Sequence, residues 1–165
     1  MSDTDFGAFA ESYLAQHRPA AAALPSTLRD GLLKVIREKI RTGKELAEWL
    51  DPYLTEEFTY SPEARKKQFS NPDAGKLLKA LETGFQGAGG DWGDLVAEGV
   101  CKKVAEEASL PKPAKVIHLL RSAVSGHTVG PSLFPLLTVL GREKVVARLI
   151  RARTLWESGK LGEAA

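Results

Sequence analysis

The sequence predicts an all-α protein made of two packed helical subdomains. Apolar residues recur at three- and four-residue spacing along most of the chain, and strict alternation of apolar and polar residues is not sustained anywhere. Capping residues and prolines punctuate the periodic segments as they do at helix starts. QGAGG at 86–90 is the strongest break, and it predicts a boundary between a first subdomain, 1–88, and a second, 89–165.

Residues 1–25, with an Ala-rich run at 20–23, are an extension that the pattern leaves unassigned. Ser26 is placed to cap TLRDGLLKVIREKI, in which Leu28, Leu32, Val35, Ile36 and Ile40 share one face. Gly43 interrupts, and KELAEWL resumes the helical period. Ser61-Pro62-Glu63 and Asn71-Pro72-Asp73 each read as a cap followed by proline at the first helical position, so Asp51 to Asn71 is expected to hold short helices and bends. AGKLLKALETGF follows.

Past the glycine-rich break, Asp91 is expected to cap WGDLVAEGVCKKVAEEA, with Leu95, Val96, Val100, Cys101 and Val104 on one side. Pro111 and Pro113 separate this helix from AKVIHLLRSAV. The breaker-rich SGHTVG loop then leads through Pro131 into SLFPLLTVL. In the last helix, REKVVARLIRARTLW, Val145, Val146, Leu149 and Ile150 are expected to be buried, and Lys144, Arg148 and Arg151, at i, i+4 and i+7, to line one basic face. The expected core includes Leu32, Ile36, Leu95, Val100, Leu120, Phe134, Leu140, Val146 and Leu149.

The composition, 43% hydrophobic and 27% charged, is that of a soluble globular chain. No run approaches the roughly 18 apolar residues of a membrane span. The acidic start MSDTDFGAF lacks the basic region of a signal peptide, so a cytoplasmic location without membrane partners is expected. A single cysteine, Cys101, excludes an internal disulfide and is expected to pack on an apolar helix face. One Cys and three scattered His build no ordinary zinc site, so no metal is expected. GAGGDWG at 87–93 follows no strand and makes no nucleotide-binding fingerprint, so no cofactor is expected either. Nothing orients Ser125 and His127 as parts of a triad, and no catalytic residue is assigned.

Charge is unevenly spread. The net charge is +2, yet residues 101–165 carry eleven Lys/Arg and five Asp/Glu, while the first hundred carry twelve and sixteen. A basic C-terminal half suits a polyanion such as nucleic acid, and solvated helix faces would give the same balance. Arg121 stands among Val116, Ile117, Leu119, Leu120 and Val124, close to the helix end that feeds the SGHTVG loop. A cation there suits the electron-rich carbonyls of a helix C-terminus, or it projects beside the loop to hold a ligand.

The run PAKVIHLLRSAVSGHTVGPSLFPLLTVLGREKVVARL resembles the last stretch of bacterial glutamyl-tRNA synthetases. The shared elements are Leu119-Leu120-Arg121, Ala123-Val124-Ser125-Gly126, Pro131-Ser132-Leu133-Phe134, Val139-Leu140-Gly141 and Ala147-Arg148-Leu149. Upstream, Asp91-Trp92 and the segment REKIRTGKELAEWLDPYLTEEFTY are similar to parts of the same region. The resemblance covers roughly 26–155 and is densest over 115–150. It implies an all-helical, two-part anticodon-binding body whose SGHTVG-PSL turn faces RNA, where unstacked loop bases are read by guanidinium stacking and edge hydrogen bonds.

By that resemblance, Arg121 matches an arginine on the first anticodon base, and Pro131 and Leu133 match the family's Pro-x-Leu contacts. Gly130 stands where some members carry a hydroxyl residue. Lys102, allowing one inserted residue in the Pro111–Pro113 connection, matches another basic contact. Lys39 falls where members that discriminate glutamate from glutamine tRNA carry an arginine for the third anticodon base, and a lysine cannot make its bidentate planar contact. The family's HIGH-like and KMSKS-like catalytic motifs are absent from the sequence. The resemblance therefore implies a non-catalytic tRNA-binding module, excised or free-standing, that serves glutamyl-tRNA aminoacylation with a synthetase catalytic domain or subunit, in cis or in trans. The alternative is a helical protein-interaction domain derived from that scaffold that has lost RNA binding.

Overall fold

The structure is a computed structural model that describes residues 2–161. Among these residues all regular structure is helical, with no strand. The packing forms two compact units, residues 1–58 and 59–165. The expected boundary at 86–90 is instead the loop between two helices of the second unit. The reason is that the helix before it, Ala74–Gly87, packs along the C-terminal helix Arg142–Glu157. A glycine-rich stretch marks where a chain can turn, and long-range packing decides which pieces share a core.

The first unit holds α1 (Asp3–His17), a 3₁₀ turn (Pro19–Ala23), α2 (Ser26–Arg37) and α3 (Gly43–Leu54). The extension thus forms a helix, Asp3–His17, and a 3₁₀ turn, Pro19–Ala23, among the described residues. Ala10 and Leu14 of α1 are buried, as are Leu32, Val35 and Ile36 of α2 and Leu46, Ala47 and Leu50 of α3. Ser26 lies inside α2 and makes no cap bond. On α3 a cap does form, at Thr42, whose hydroxyl accepts from the Glu45 amide at 3.1 Å while the Glu45 carboxylate accepts from the Thr42 amide at 3.1 Å. This reciprocal pair satisfies two helix-start donors at once. Arg18 holds Asp51 at 2.5 Å, tying the end of α1 to α3.

The second unit holds α4 (Pro62–Ala64), running into a π-helical turn (Arg65–Phe69), then α5 (Ala74–Gly87), α6 (Asp94–Glu107), α7 (Ala114–Ser125), α8 (Leu133–Leu140) and α9 (Arg142–Glu157). Ser61 caps α4 as expected, accepting from the Ala64 amide at 3.1 Å. Asn71 does not cap α5; its side chain accepts from the Asp73 amide at 2.9 Å, and the helix starts one residue later. Such a side-chain turn competes with a helix cap for the same backbone groups.

The α5–α9 contact depends on Gly75. A Cβ there would lie 2.5 Å from the Trp156 ring, so no larger residue fits without displacing the indole. That indole donates to the Phe69 carbonyl at 2.9 Å. Glu82, buried in α5, accepts from Arg153 of α9 at 3.0 Å and from Lys79 at 3.3 Å.

Two expectations about α6 are corrected. The helix starts at Asp94, three residues after the proposed Asp91 cap, because Trp92 turns its indole to donate to the Leu137 carbonyl at 2.8 Å and edges onto Phe85. The buried stripe is Ala97, Cys101, Val104 and Ala105, and Leu95 is 83% exposed. Val100 and Phe134 are only half-buried, while Leu32, Ile36, Leu120, Leu140, Val146 and Leu149 are core residues as expected. Burial pushes the Cys101 thiol up to about 12, with a smaller push from Glu98, so it stays protonated at neutral pH.

Candidate nucleic-acid interface

The sequence places most of the positive charge in the second unit. Residues 59–165 carry sixteen Lys/Arg and eleven Asp/Glu, whereas residues 1–58 carry seven and ten. Within the second unit, the α7–loop–α8 segment holds four of the expected site residues, Arg121, Gly130, Pro131 and Leu133, and brings the first three together. Arg121 sits half-buried near the end of α7, and its Nη1 donates to the Pro131 carbonyl at 2.6 Å. A Cβ added to Gly130 would lie 3.8 Å from the same nitrogen. The guanidinium therefore reaches across the mouth of the loop.

Arg121 thus projects beside the loop and is also bonded to it. A charge-assisted bond to a carbonyl at the loop's far end makes Arg121 part of the loop's own architecture. Pro131 and Leu133 are buried, Leu133 to within 4%. What they contribute in the free protein is the packing that seats the turn. The exposed part is the tip, where His127 is exposed and Val129 is 70% exposed.

The remaining two expected residues lie elsewhere. Lys102 is exposed on α6 and pairs with Glu98 at 3.2 Å, one helical turn back. Lys39 belongs to the first unit, exposed just beyond the end of α2.

The loop is held by its surroundings in detail. Gly126 ends α7 in the left-handed conformation, φ 77°, which a glycine adopts without the strain a Cβ would bring. Its amide donates to the Ser122 carbonyl, and its own carbonyl accepts from the Ser61 amide at 2.8 Å. The Ser122 and Ser125 hydroxyls reach the His127 carbonyl at 3.2 and 3.3 Å, and Ser125 also accepts from the His127 amide. The Glu63 carboxyl is held below its ordinary range chiefly by Lys67, which donates to it at 2.6 Å, with Thr128 pulling in the same direction. The base of the loop thus leans on the start of α4, and its tip remains open.

Two features were not assigned from the sequence. Lys115 and His118 are exposed on α7 at three-residue steps before Arg121, so the three share a face that runs toward the loop. Spacing alone could have found them. Arg148, expected on a basic surface, is 1% exposed. It falls at i+3 from Val145 and next to Leu149, inside the stripe Val145, Leu149 and Ala152 that packs inward. That period was visible in the sequence, but the charge of the side chain argued for solvent.

Among the described residues no group of three or more His, Cys, Asp or Glu stands together to hold a metal ion, and no helix is long and apolar enough to cross a membrane.

The family description of the anticodon binding domain matches residues 8–153. The chain belongs to the anticodon binding domain family. Among curated relatives, the glutamate–tRNA ligase of Methylacidiphilum infernorum is 38% identical over 117 residues, which is 71% of this chain and 26% of the ligase. The glutamate–tRNA ligase of Mycobacterium marinum is 34% identical over 153 residues, 90% of this chain and 30% of the ligase. A crystal structure of a glutamate tRNA ligase from Elizabethkingia meningosepticum, in complex with its amino acid, superposes with a TM-score of 0.75 at 19% identity. It covers 93% of this chain and 29% of that one. The chain thus spans about a quarter to a third of the length of these ligases. Its similarity is to their anticodon-binding part, and the helical fold of this anticodon binding domain is the one that part has.

Proposed function

We propose that this anticodon binding domain binds tRNA without catalysing a reaction itself, using the α7–α8 turn to read unstacked anticodon bases. Glutamate tRNA is the substrate class that the resemblance to glutamate–tRNA ligases supports. The domain would supply recognition to a synthetase catalytic domain or subunit. The observation that carries this reading is Arg121: its bond to the Pro131 carbonyl sets the plane of a guanidinium at the mouth of a loop with an open tip. A planar cation held this way is a stacking and hydrogen-bonding surface for a base. Lys115 and His118 continue the same face, suited to the phosphates on either side of the loop.

Lys39 and Lys102 are proposed as further phosphate or base contacts. Lysine supplies a point charge rather than a planar fork, so Lys39 would discriminate its base less sharply than an arginine.

The experiment is a comparison of two RNAs of equal charge: the anticodon stem-loop of glutamate tRNA, and a fully paired duplex of the same length. The domain is expected to prefer the stem-loop, because only it offers unstacked bases. Equal affinity for both would leave charge alone as the basis of binding and would refute base reading. In a companion assay, the purified chain is expected to show no amino-acid-dependent pyrophosphate exchange with ATP, since the HIGH-like and KMSKS-like motifs are absent from its sequence. Exchange above background would refute the non-catalytic reading.

A further inference from the structure

The end of α7 is held by side chains that RNA cannot reach. A helix leaves its last carbonyls without intrahelical partners, and they carry partial negative charge. Here two of them are met from other elements. Tyr60 donates its hydroxyl to the Ala123 carbonyl at 3.3 Å, and Arg148 of α9 donates Nη1 to the Val124 carbonyl at 2.8 Å. Arg151, one turn further along α9, donates to the Tyr60 oxygen at 3.4 Å and lies over its ring at 5.4 Å. The ring also edges onto Phe69 at 5.2 Å. Burial holds the Tyr60 phenol above its ordinary pKa against the opposing pull of Arg151 and Arg148, so the O–H remains a donor. The next residue, Ser61, donates its amide to the Gly126 carbonyl at 2.8 Å.

We infer that Arg148 and Tyr60 are positioning residues that clamp the α7 C-terminus, and that the RNA affinity of the loop at 126–130 depends on this clamp although neither residue touches RNA. Both are buried, Arg148 at 1% and Tyr60 at 6% exposure. The clamp fixes the loop where it leaves α7, and Arg121 fixes the opposite end at Pro131. A loop held at both ends gives up little conformational freedom on binding, which is how preorganisation raises affinity. The inference rests on the proposal that this loop binds tRNA.

The test uses the full chain with Tyr60→Phe, which removes one hydroxyl and keeps the ring against Phe69 and Arg151, and with Arg148→Lys as a second variant. Three quantities are measured: amide hydrogen exchange of residues 126–130 against that of α5, affinity for the glutamate tRNA anticodon stem-loop, and affinity for an equally charged RNA duplex. Tyr60→Phe is expected to speed exchange in the loop but not in α5. It should weaken stem-loop binding about 3- to 10-fold, with duplex binding and the salt slope unchanged because no phosphate contact is lost. Arg148→Lys is expected to act in the same direction. Stem-loop affinity and loop exchange equal to the parent's in Tyr60→Phe would overturn the inference. A parallel loss of stem-loop and duplex binding would overturn it too, since that marks general destabilisation. A parent chain that binds neither RNA would instead remove the tRNA-binding proposal itself.

Discussion

Replacing Arg121 with alanine is expected to lower tRNA affinity by roughly 5- to 150-fold, the range for losing one base-stacking partner. The structure adds a second consequence. The guanidinium donates to the Pro131 carbonyl at 2.6 Å from a half-buried position, so its loss also releases the far end of the loop. A stability cost of about 1 kcal/mol is expected for that bond. Arg121→Lys keeps the charge but neither the plane nor the fork, and is expected to recover binding only in part. Filter binding or anisotropy with glutamate tRNA at physiological salt, beside thermal melts, checks all of these. An alanine variant that binds as the parent does would remove Arg121 from the interface.

The largest stability effect is expected at Leu149. It is fully buried in α9, the helix that packs against both α5 and α7. Truncation to alanine removes apolar contacts and leaves a cavity that rigid helices fill only partly, at a cost of about 2–5 kcal/mol. For a domain of this size that lowers the melting temperature by on the order of 10 °C. Ile150, its neighbour, is 37% exposed, and Ile150→Ala is expected to cost about 1 kcal/mol or less. Calorimetry on the pair checks the direction in which α9 faces. Equal losses from both would show that the buried stripe is misplaced.

The all-helical architecture was legible because apolar periodicity is a local signal that survives in most of the helices. The lengths of α7 and α8 follow their periodic segments closely, while α2 ends at Arg37, three residues before Ile40. What was misread depended on partners distant in sequence. Leu95 and Val96 outweigh Ala97 and Ala105 in hydrophobicity, yet the alanines face inward, because a small side chain lets α6 approach its neighbours closely. Trp92 read as the opening of a helix and is instead an indole bonded to the Leu137 carbonyl, 45 residues away. The glycine-rich stretch at 86–90 read as a boundary, and the packing of α5 on α9 places it inside one unit.

The candidate site was legible in outline. Arg121, Gly130 and Pro131 were named from the sequence, and the structure brings them within contact of one another. Their environment was not. The resemblance makes Pro131 and Leu133 RNA contacts, whereas in the free protein the turn folds both inward. Arg148 carries the charge of a surface residue at a core position of its helix. Only the three-dimensional course of α7 shows the carbonyl of Val124 waiting there for it.

The most direct test of tRNA binding by this domain is the salt dependence of its affinity for intact glutamate tRNA. Each phosphate neutralised by a lysine or arginine contributes about −0.7 to −0.9 to the slope of log K against log salt. With sixteen Lys/Arg in residues 59–165 and the α7 face leading to an open loop, a measurable affinity with a linear slope worth several phosphates is predicted. A chain that shows no tRNA binding at physiological salt, or an affinity that does not change as salt is raised, would contradict it.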